Sequence, residues 1–252
     1  MKYFKTRLMM DKRYWLMTLF FVIVINIDLL LIVKEREPFS GQFLTFLAGS
    51  SLGHYPQMAL LWLLPAYLLL GPGRWYLQDV KVGQINLLIT RMRKPQYLQQ
   101  LLRTSFISVA ASALFALLLN YGLALLLFQN GSGNSYRMSD YQDGSDPFLY
   151  WQLLHPVLAN LLTILLTAMI LGLFAMAIIA LSFMFKKISY VFGLSMVAWF
   201  IPISTNYSIL SVLQPFQETS LTAQLMILLV YVIVLLGVIC VGYGTEVHRD
   251  EL

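Results

Sequence analysis

From Val157 to Phe185 the chain carries no charged side chain. A helix of that length exceeds the roughly 20 apolar residues that cross the ~30 Å hydrocarbon core of a bilayer. Five further apolar segments accompany it, giving six expected spans at about 15–33, 55–70, 107–128, 157–185, 188–203 and 225–243. The second contains Pro65, the fifth ends near Pro202, and both are short. Their apolar residues run continuously rather than alternating, which predicts helices rather than the strands of a barrel. Of the 252 residues, 59% are hydrophobic and 12% charged, about half the charge of a soluble domain. A water-soluble enzyme and a disordered chain are both excluded. The expected fold class is an all-α polytopic membrane protein, with residues 1–252 forming a single transmembrane domain. The first span is not a cleaved signal peptide, because its apolar run is too long and no small-residue cleavage site follows.

The basic residues predict an orientation. All but Lys34, Arg36 and Arg137 of the 17 fall in the amino-terminal tail, the loop between spans two and three, the turn after span four, or the carboxy-terminal tail. The positive-inside bias then puts both termini in the cytoplasm. The same charge attracts anionic lipid headgroups, and its placement argues against nucleic acid as a partner.

Catalytic and metal chemistry have no visible constellation. His54, His155 and His248 lie far apart, and the one cysteine, Cys240, sits in an apolar run and reads as a small buried side chain. Ser50 and Ser51 precede His54 without a third member or an oxyanion hole. Asp140, Asp143 and Asp146 lack the glycine and distal glutamate of a calcium loop and read as part of a solvated outer loop. Asp28, with Asn26 beside it, is the one acid inside an expected span. It is either a local polar anchor near the outer end or a position on a substrate path or proton relay. Asn120 and Asn160 are placed to hydrogen-bond across helices, and the small residues of 110–113 and 172–180 to let helices approach closely.

The stretch from Gly71 to Arg103 holds the most information. A Gly-Pro-Gly turn leads into about 20 residues that predict an amphipathic helix, stopping at Lys94-Pro95. Leu77, Val80, Leu87, Leu88 and Met92 supply its apolar side, and Gln78, Asp79, Lys81, Gln84, Asn86 and Arg91 its polar one. Such a segment lies on the inner membrane face, docks on a soluble partner, or serves as a basic loop that only sets topology.

Asp79, Gly83, Leu87-Leu88, Arg91, Arg93 and Tyr97-Leu98 together resemble the first cytoplasmic loop of the membrane subunits of type-2 ABC exporters, the ABC-2 permeases. Asp79 stands where the family more often has Glu, and Arg103 where it commonly has Lys. The basic tail 1–15 is similar to the family's interfacial elbow helix, and 204–224, with Leu213-Gln214-Pro215, to its broken re-entrant segment. The resemblance implies that Asp79, Gly83, Leu87, Leu88, Arg91 and Arg93 belong to a coupling helix seated on an ATP-binding subunit. It also implies that ATP and Mg are held by that partner, with no cofactor in this chain. A second permease copy or a sister permease would complete the transporter. The resemblance further implies an antibiotic-peptide export or self-immunity system, where small permeases of this kind are often found. The expected task is export of an amphipathic peptide, drug or lipid-like substrate through a bacterial cytoplasmic membrane. The alternatives are a secondary transporter without an ATPase, and a non-transport membrane sensor or assembly protein.

Overall fold

The computed structural model describes residues 2–35, 40–46, 55–131, 146–205 and 208–249. Among them the secondary structure is entirely helical. The basic tail forms α1 (Lys2–Met10), which a break at Asp11 separates from α2 (Lys12–Glu35). Two short helices follow, α3 (Tyr55–Trp62) and α4 (Leu64–Leu70), and then a pair outside the apolar runs, α5 (Trp75–Val82) and α6 (Gln84–Arg91). The remainder is α7 (Lys94–Leu127), α8 (Pro147–Leu154), α9 (Pro156–Met184), α10 (Ile188–Ser204) and α11 (Leu221–Val247).

Four of these are long and apolar enough to cross a membrane: 22 residues of α2, 34 of α7, 29 of α9 and 27 of α11. At 1.5 Å per residue the shortest measures about 33 Å, against the ~30 Å hydrocarbon core. They match the expected spans at 15–33, 107–128, 157–185 and 225–243. The other two differ from that expectation. Residues 55–70 are broken into α3 and α4, and α10 has 17 residues, about 25 Å.

The break has a local cause. Pro65 has no N–H, so the carbonyl of Leu61, four residues earlier, loses its helical donor. The indole Nε1–H of Trp199, fully buried on α10, donates to that carbonyl instead. One tryptophan therefore compensates for one proline and ties α10 to the α3–α4 break. Trp199→Phe keeps one aromatic ring, removes the donor and gives up part of the buried volume. It should cost about 1–3 kcal/mol, the penalty for a buried carbonyl left unpaired, read as a lowered unfolding midpoint in detergent.

Helices α2, α7 and α9 form the centre, with α11 packed on α9. The start of α2, the start of α7 and the ends of α9 and α11 meet at one end, which carries both termini and most of the basic residues. At the opposite end, residues 40–46 plug the gap between α7 and α9. Their backbone is irregular and buried, so its polar groups need partners. Asn120 accepts from the Phe46 N–H at 2.9 Å and donates to the Ile25 carbonyl at 3.0 Å. Asn160 accepts from the Thr45 hydroxyl at 3.1 Å and donates to the Gln42 carbonyl at 2.8 Å. Both asparagines do bond across elements, and much of what they hold is loop backbone.

A small second core caps this end. Leu149 and Leu153 of α8, Ala159, Phe43 and Phe216 pack together. Phe216 has a φ of 58°, which a bulky residue rarely adopts. Its N–H donates to Gln152 at 2.6 Å, and its ring lies 5.0 Å from that of Phe43. Between α10 and α11 the chain is not α-helical from 208 to 220, yet Ile209, Leu213 and Phe216 are buried. Cys240 corrects the sequence expectation, since it is exposed. Helix α11 touches the bundle along one narrow side only and turns the rest of its apolar surface outward.

Candidate functional site

The expected coupling residues lie at the end that gathers the termini, and a buried ion pair organises them. Helix α1 folds back over α5 and the first turns of α7. Phe4 is buried with its ring 5.9 Å from that of Tyr97. Arg7 donates to Asp79 Oδ2 at 2.6 Å and to the Trp75 carbonyl at 3.2 Å, and its guanidinium sits 5.3 Å from the centre of the Trp75 ring. Only a planar, forked cation serves a carboxylate, a carbonyl and an aromatic face at once. The Tyr97 hydroxyl donates to the same Asp79 oxygen at 2.5 Å. Asp11, at the α1–α2 break, accepts from the Trp75 indole at 2.6 Å and from the Arg13 N–H at 3.0 Å. Burial raises the Tyr3 phenol above its ordinary range, against the pull of Arg7.

Asp79 is 1% exposed. It is therefore an internal anchor, joining α1, α5 and α7, and presents nothing to a partner. An ion pair this deep adds little net stability, because desolvation offsets the attraction. It does dictate where α5 sits relative to the roots of α2 and α7.

The single amphipathic helix of about 20 residues expected after Gly71 is not what forms. Gly83, at a φ of 72°, terminates α5 in the left-handed conformation that closes helices, and α6 starts anew. A hairpin of two eight-residue helices results. Leu88 is buried beneath α6. Val82, at the end of α5, and Leu87, midway along α6, are each 68% exposed. Gly83, Arg91 and Arg93 are exposed too, and a Cβ added at Gly83 would meet only open space. The expected coupling residues thus divide: Asp79 and Leu88 hold the hairpin, while Gly83, Leu87, Arg91 and Arg93 face outward. Arg74, at the root of α5, has its pKa lowered, chiefly by burial.

A second buried acid grips the same turn of α7 from the other side. Glu246, 2% exposed near the end of α11, lies 3.7 Å from the Lys94 ammonium and accepts from Arg249 at 2.9 Å. Lys94 also donates to the Arg249 carbonyl at 2.8 Å, and Arg249 to the Phe183 carbonyl at 3.2 Å. Lys94 and Tyr97 stand one turn apart. The first turn of α7 is therefore tied through Tyr97 to α1 and α5, and through Lys94 to α9 and α11. Arg7, Trp75, Glu246 and Arg249 were not singled out from the sequence. The available signal was the presence of Asp11, Asp79 and Glu246 among the basic residues of the tails and loops.

Asn26 and Asp28 lie away from this end. Asn26 donates to the Val22 carbonyl of its own helix at 2.7 Å, and Asp28 is fully buried. Of the three outer aspartates, Asp146 caps α8 by accepting from the Leu149 N–H at 3.1 Å. Asp140, Asp143, Ser50, Ser51 and His54 lie outside the described residues.

The chain is similar to the uncharacterized protein YybM of Bacillus subtilis (strain 168), 29% identical over 220 residues that cover 86% of each chain. No protein-family model matches it, and no solved structure does.

Proposed function

We propose that this chain is the membrane-spanning subunit of an ATP-driven exporter of the ABC-2 type, seated in a bacterial cytoplasmic membrane as a six-span protein with both termini inside. In this reading α3–α4 and α10 cross as the second and fifth spans, shortened by the break at Pro65 and by the turn after Ser204. A separate subunit binds and hydrolyses ATP with its Mg, and this chain contributes no catalytic group. A second permease copy or a sister permease completes the path. The substrate is an amphipathic peptide, drug or lipid-like molecule.

One observation carries the reading. The α5–α6 hairpin exposes the apolar Val82 and Leu87 and the basic Arg91 and Arg93, while Asp79 fastens it to α1 and α7. A solvated loop that only sets topology has no need of a buried carboxylate held by an arginine and a tyrosine. A transmission element needs both features: a surface for the partner, and a stiff connection from that surface to the spans. A push on Val82 and Leu87 is passed by Asp79 to α1 and, through Tyr97, to α7. Such a device works only if the nucleotide-driven partner binds two arrangements of the hairpin unequally.

The test is recovery of the chain from its native membranes in mild detergent, with mass spectrometry of what accompanies it. The expected companion is a soluble ATP-binding subunit in stoichiometric amount. The double variant Val82→Asp and Leu87→Asp should lose that companion and keep the unfolding midpoint of the parent, since both side chains are exposed. Recovery of the parent chain alone, or an ATPase that stays bound to the double variant, defeats this reading.

A further inference from the structure

The root of α2 and the turn before α5 bring three cations together, Lys12, Arg13 and Arg74. Two contacts fix their placement. The Asp11 carboxylate accepts from the Arg13 N–H with one oxygen and from the Trp75 indole with the other, so Arg13 and Arg74, the residue before Trp75, flank one acid. One turn along α2, Met17 packs on Gly71, where an added Cβ would lie 2.7 Å from the Met17 sulfur. Burial and then the charge of Arg13 lower the pKa of Arg74, while Asp11 opposes them. Lys12 and Arg13 are exposed, and Arg74 is half-buried.

The group carries more positive charge than Asp11 can offset, and like charges held close repel. Among the described residues none of the three cations forms an ion pair. Arg74 reaches a neutral group, the Gln78 side-chain oxygen, at 3.2 and 3.3 Å once that amide is turned to face it. An anion is the partner this arrangement lacks. Position selects which anion. Lys12 and Arg13 begin a helix long and apolar enough to cross a bilayer, so they stand where hydrocarbon gives way to headgroups. Trp15, Leu16 and Leu19 follow at once and are exposed, and a tryptophan at that level is an interfacial anchor. Lys12, Leu16 and Leu19 share one side of α2.

We propose that Lys12, Arg13 and Arg74 bind the phosphate of an anionic phospholipid, in the leaflet nearest the termini, with its acyl chains along Leu16 and Leu19. The two guanidinium forks match phosphate oxygens, and the phosphate relieves the repulsion that packing imposes on them. This inference does not depend on an ATPase partner.

The test is native mass spectrometry of the full chain in neutral detergent, titrated with dioleoyl phosphatidylglycerol or with dioleoyl phosphatidylcholine. The two lipids share their acyl chains and differ in net charge. The parent should retain phosphatidylglycerol at concentrations where phosphatidylcholine is lost. Arg13→Gln with Arg74→Gln should weaken that binding about tenfold or more, the equivalent of one hydrogen bond between charged groups. Lys12→Gln with Arg13→Gln alters only exposed side chains, so it should weaken binding with the unfolding midpoint of the parent. Lys186→Gln with Lys187→Gln removes the same charge from an exposed turn at the same end and should leave binding unchanged. Equal retention of both lipids by the parent would mean acyl-chain contact alone. Equal weakening by the Lys186 and Lys187 pair would mean diffuse attraction, and undiminished binding by the Arg13 variants a site elsewhere. Each of these overturns the proposal. Displacement of the lipid by glycerol 3-phosphate at equal concentration would also overturn it, giving the site to a free phosphate instead.

Discussion

Replacing Asp79 by alanine should destabilise the protein by about 3–5 kcal/mol, the cost of removing one partner from a buried ion pair. Arg7 would keep a largely buried guanidinium without its carboxylate, and Tyr97 a fully buried hydroxyl without its acceptor. Denaturation in detergent, followed by tryptophan fluorescence, reads the loss. The comparison that isolates the mechanism is the double variant Arg7→Ala with Asp79→Ala. It removes both charges, so it should cost less than Asp79→Ala plus Arg7→Ala taken separately. Tyr97→Phe deletes one hydrogen bond to a charged group and should cost about 1.5–3 kcal/mol. If Asp79→Ala unfolds at the same denaturant concentration as the parent, the carboxylate is not the anchor described here. The consequence for function follows from position. Asp79 lies between the exposed hairpin tip and the roots of α2 and α7, so its loss should uncouple the hairpin from the spans even where the protein remains inserted.

The second large effect is expected at Gly242. A Cβ built there would lie 2.4 Å from the Ala180 carbonyl oxygen and 2.9 Å from the Ala180 Cβ. Helix α11 is the least buried of the four long helices and rests mainly on α9. Gly242→Leu must push it away at the level of Glu246, one turn on, where the ties to Lys94 and Arg249 begin. Overpacking of this kind costs about 1–3 kcal/mol, and the broken ion cluster adds to it. Gly237→Leu is the control on the same helix, because nothing lies within 4 Å of its added Cβ. It should leave stability unchanged or slightly raised, glycine being a poor helix former. Thermal unfolding of the pair in one detergent distinguishes a packing effect from a general effect of enlarging α11. Equal losses for both would refute the close approach of α9 and α11 at Gly242.

What could be read from the sequence depended on whether the cause was local. The four long helices were legible because a run of apolar residues has one physical solution in a bilayer, whatever else the chain does. The small residues of 172–180 were legible as packing surface for a related reason. Gly172 lies against Phe106 and Ala110, and Ala180 against Gly242. Asn120 and Asn160 were legible as cross-element ties, since an amide in an apolar helix must find a partner. The hairpin was only half legible. Its amphipathic composition was plain, but one glycine in a helical pattern is compatible with continuation or with a stop. Gly83 became a stop once Leu88, and not Leu87, had an interior to enter.

The remaining features rest on partners far apart in the chain, and no periodicity encodes them. Arg7 and Asp79 are 72 residues apart, Trp199 and Leu61 138, and Lys94 and Arg249 155. From the sequence, Asp79 looked like a surface residue on the polar side of a helix. The tertiary structure turned it inward, because the fold-back of α1 delivers a guanidinium and the root of α7 delivers a phenol to the same oxygen. The sequence by itself determined that this chain is helical and rich in apolar runs, and where its basic residues fall along it; it led to six expected spans, and the structure gives four of them as helices long and apolar enough to cross a bilayer. Only the tertiary structure decided which acids are anchors, which face of the hairpin is presented, and which tyrosine hydroxyls are buried. Burial of an apolar run is fixed by its own composition, whereas the burial of a charge or a hydroxyl depends on what the rest of the chain brings to meet it.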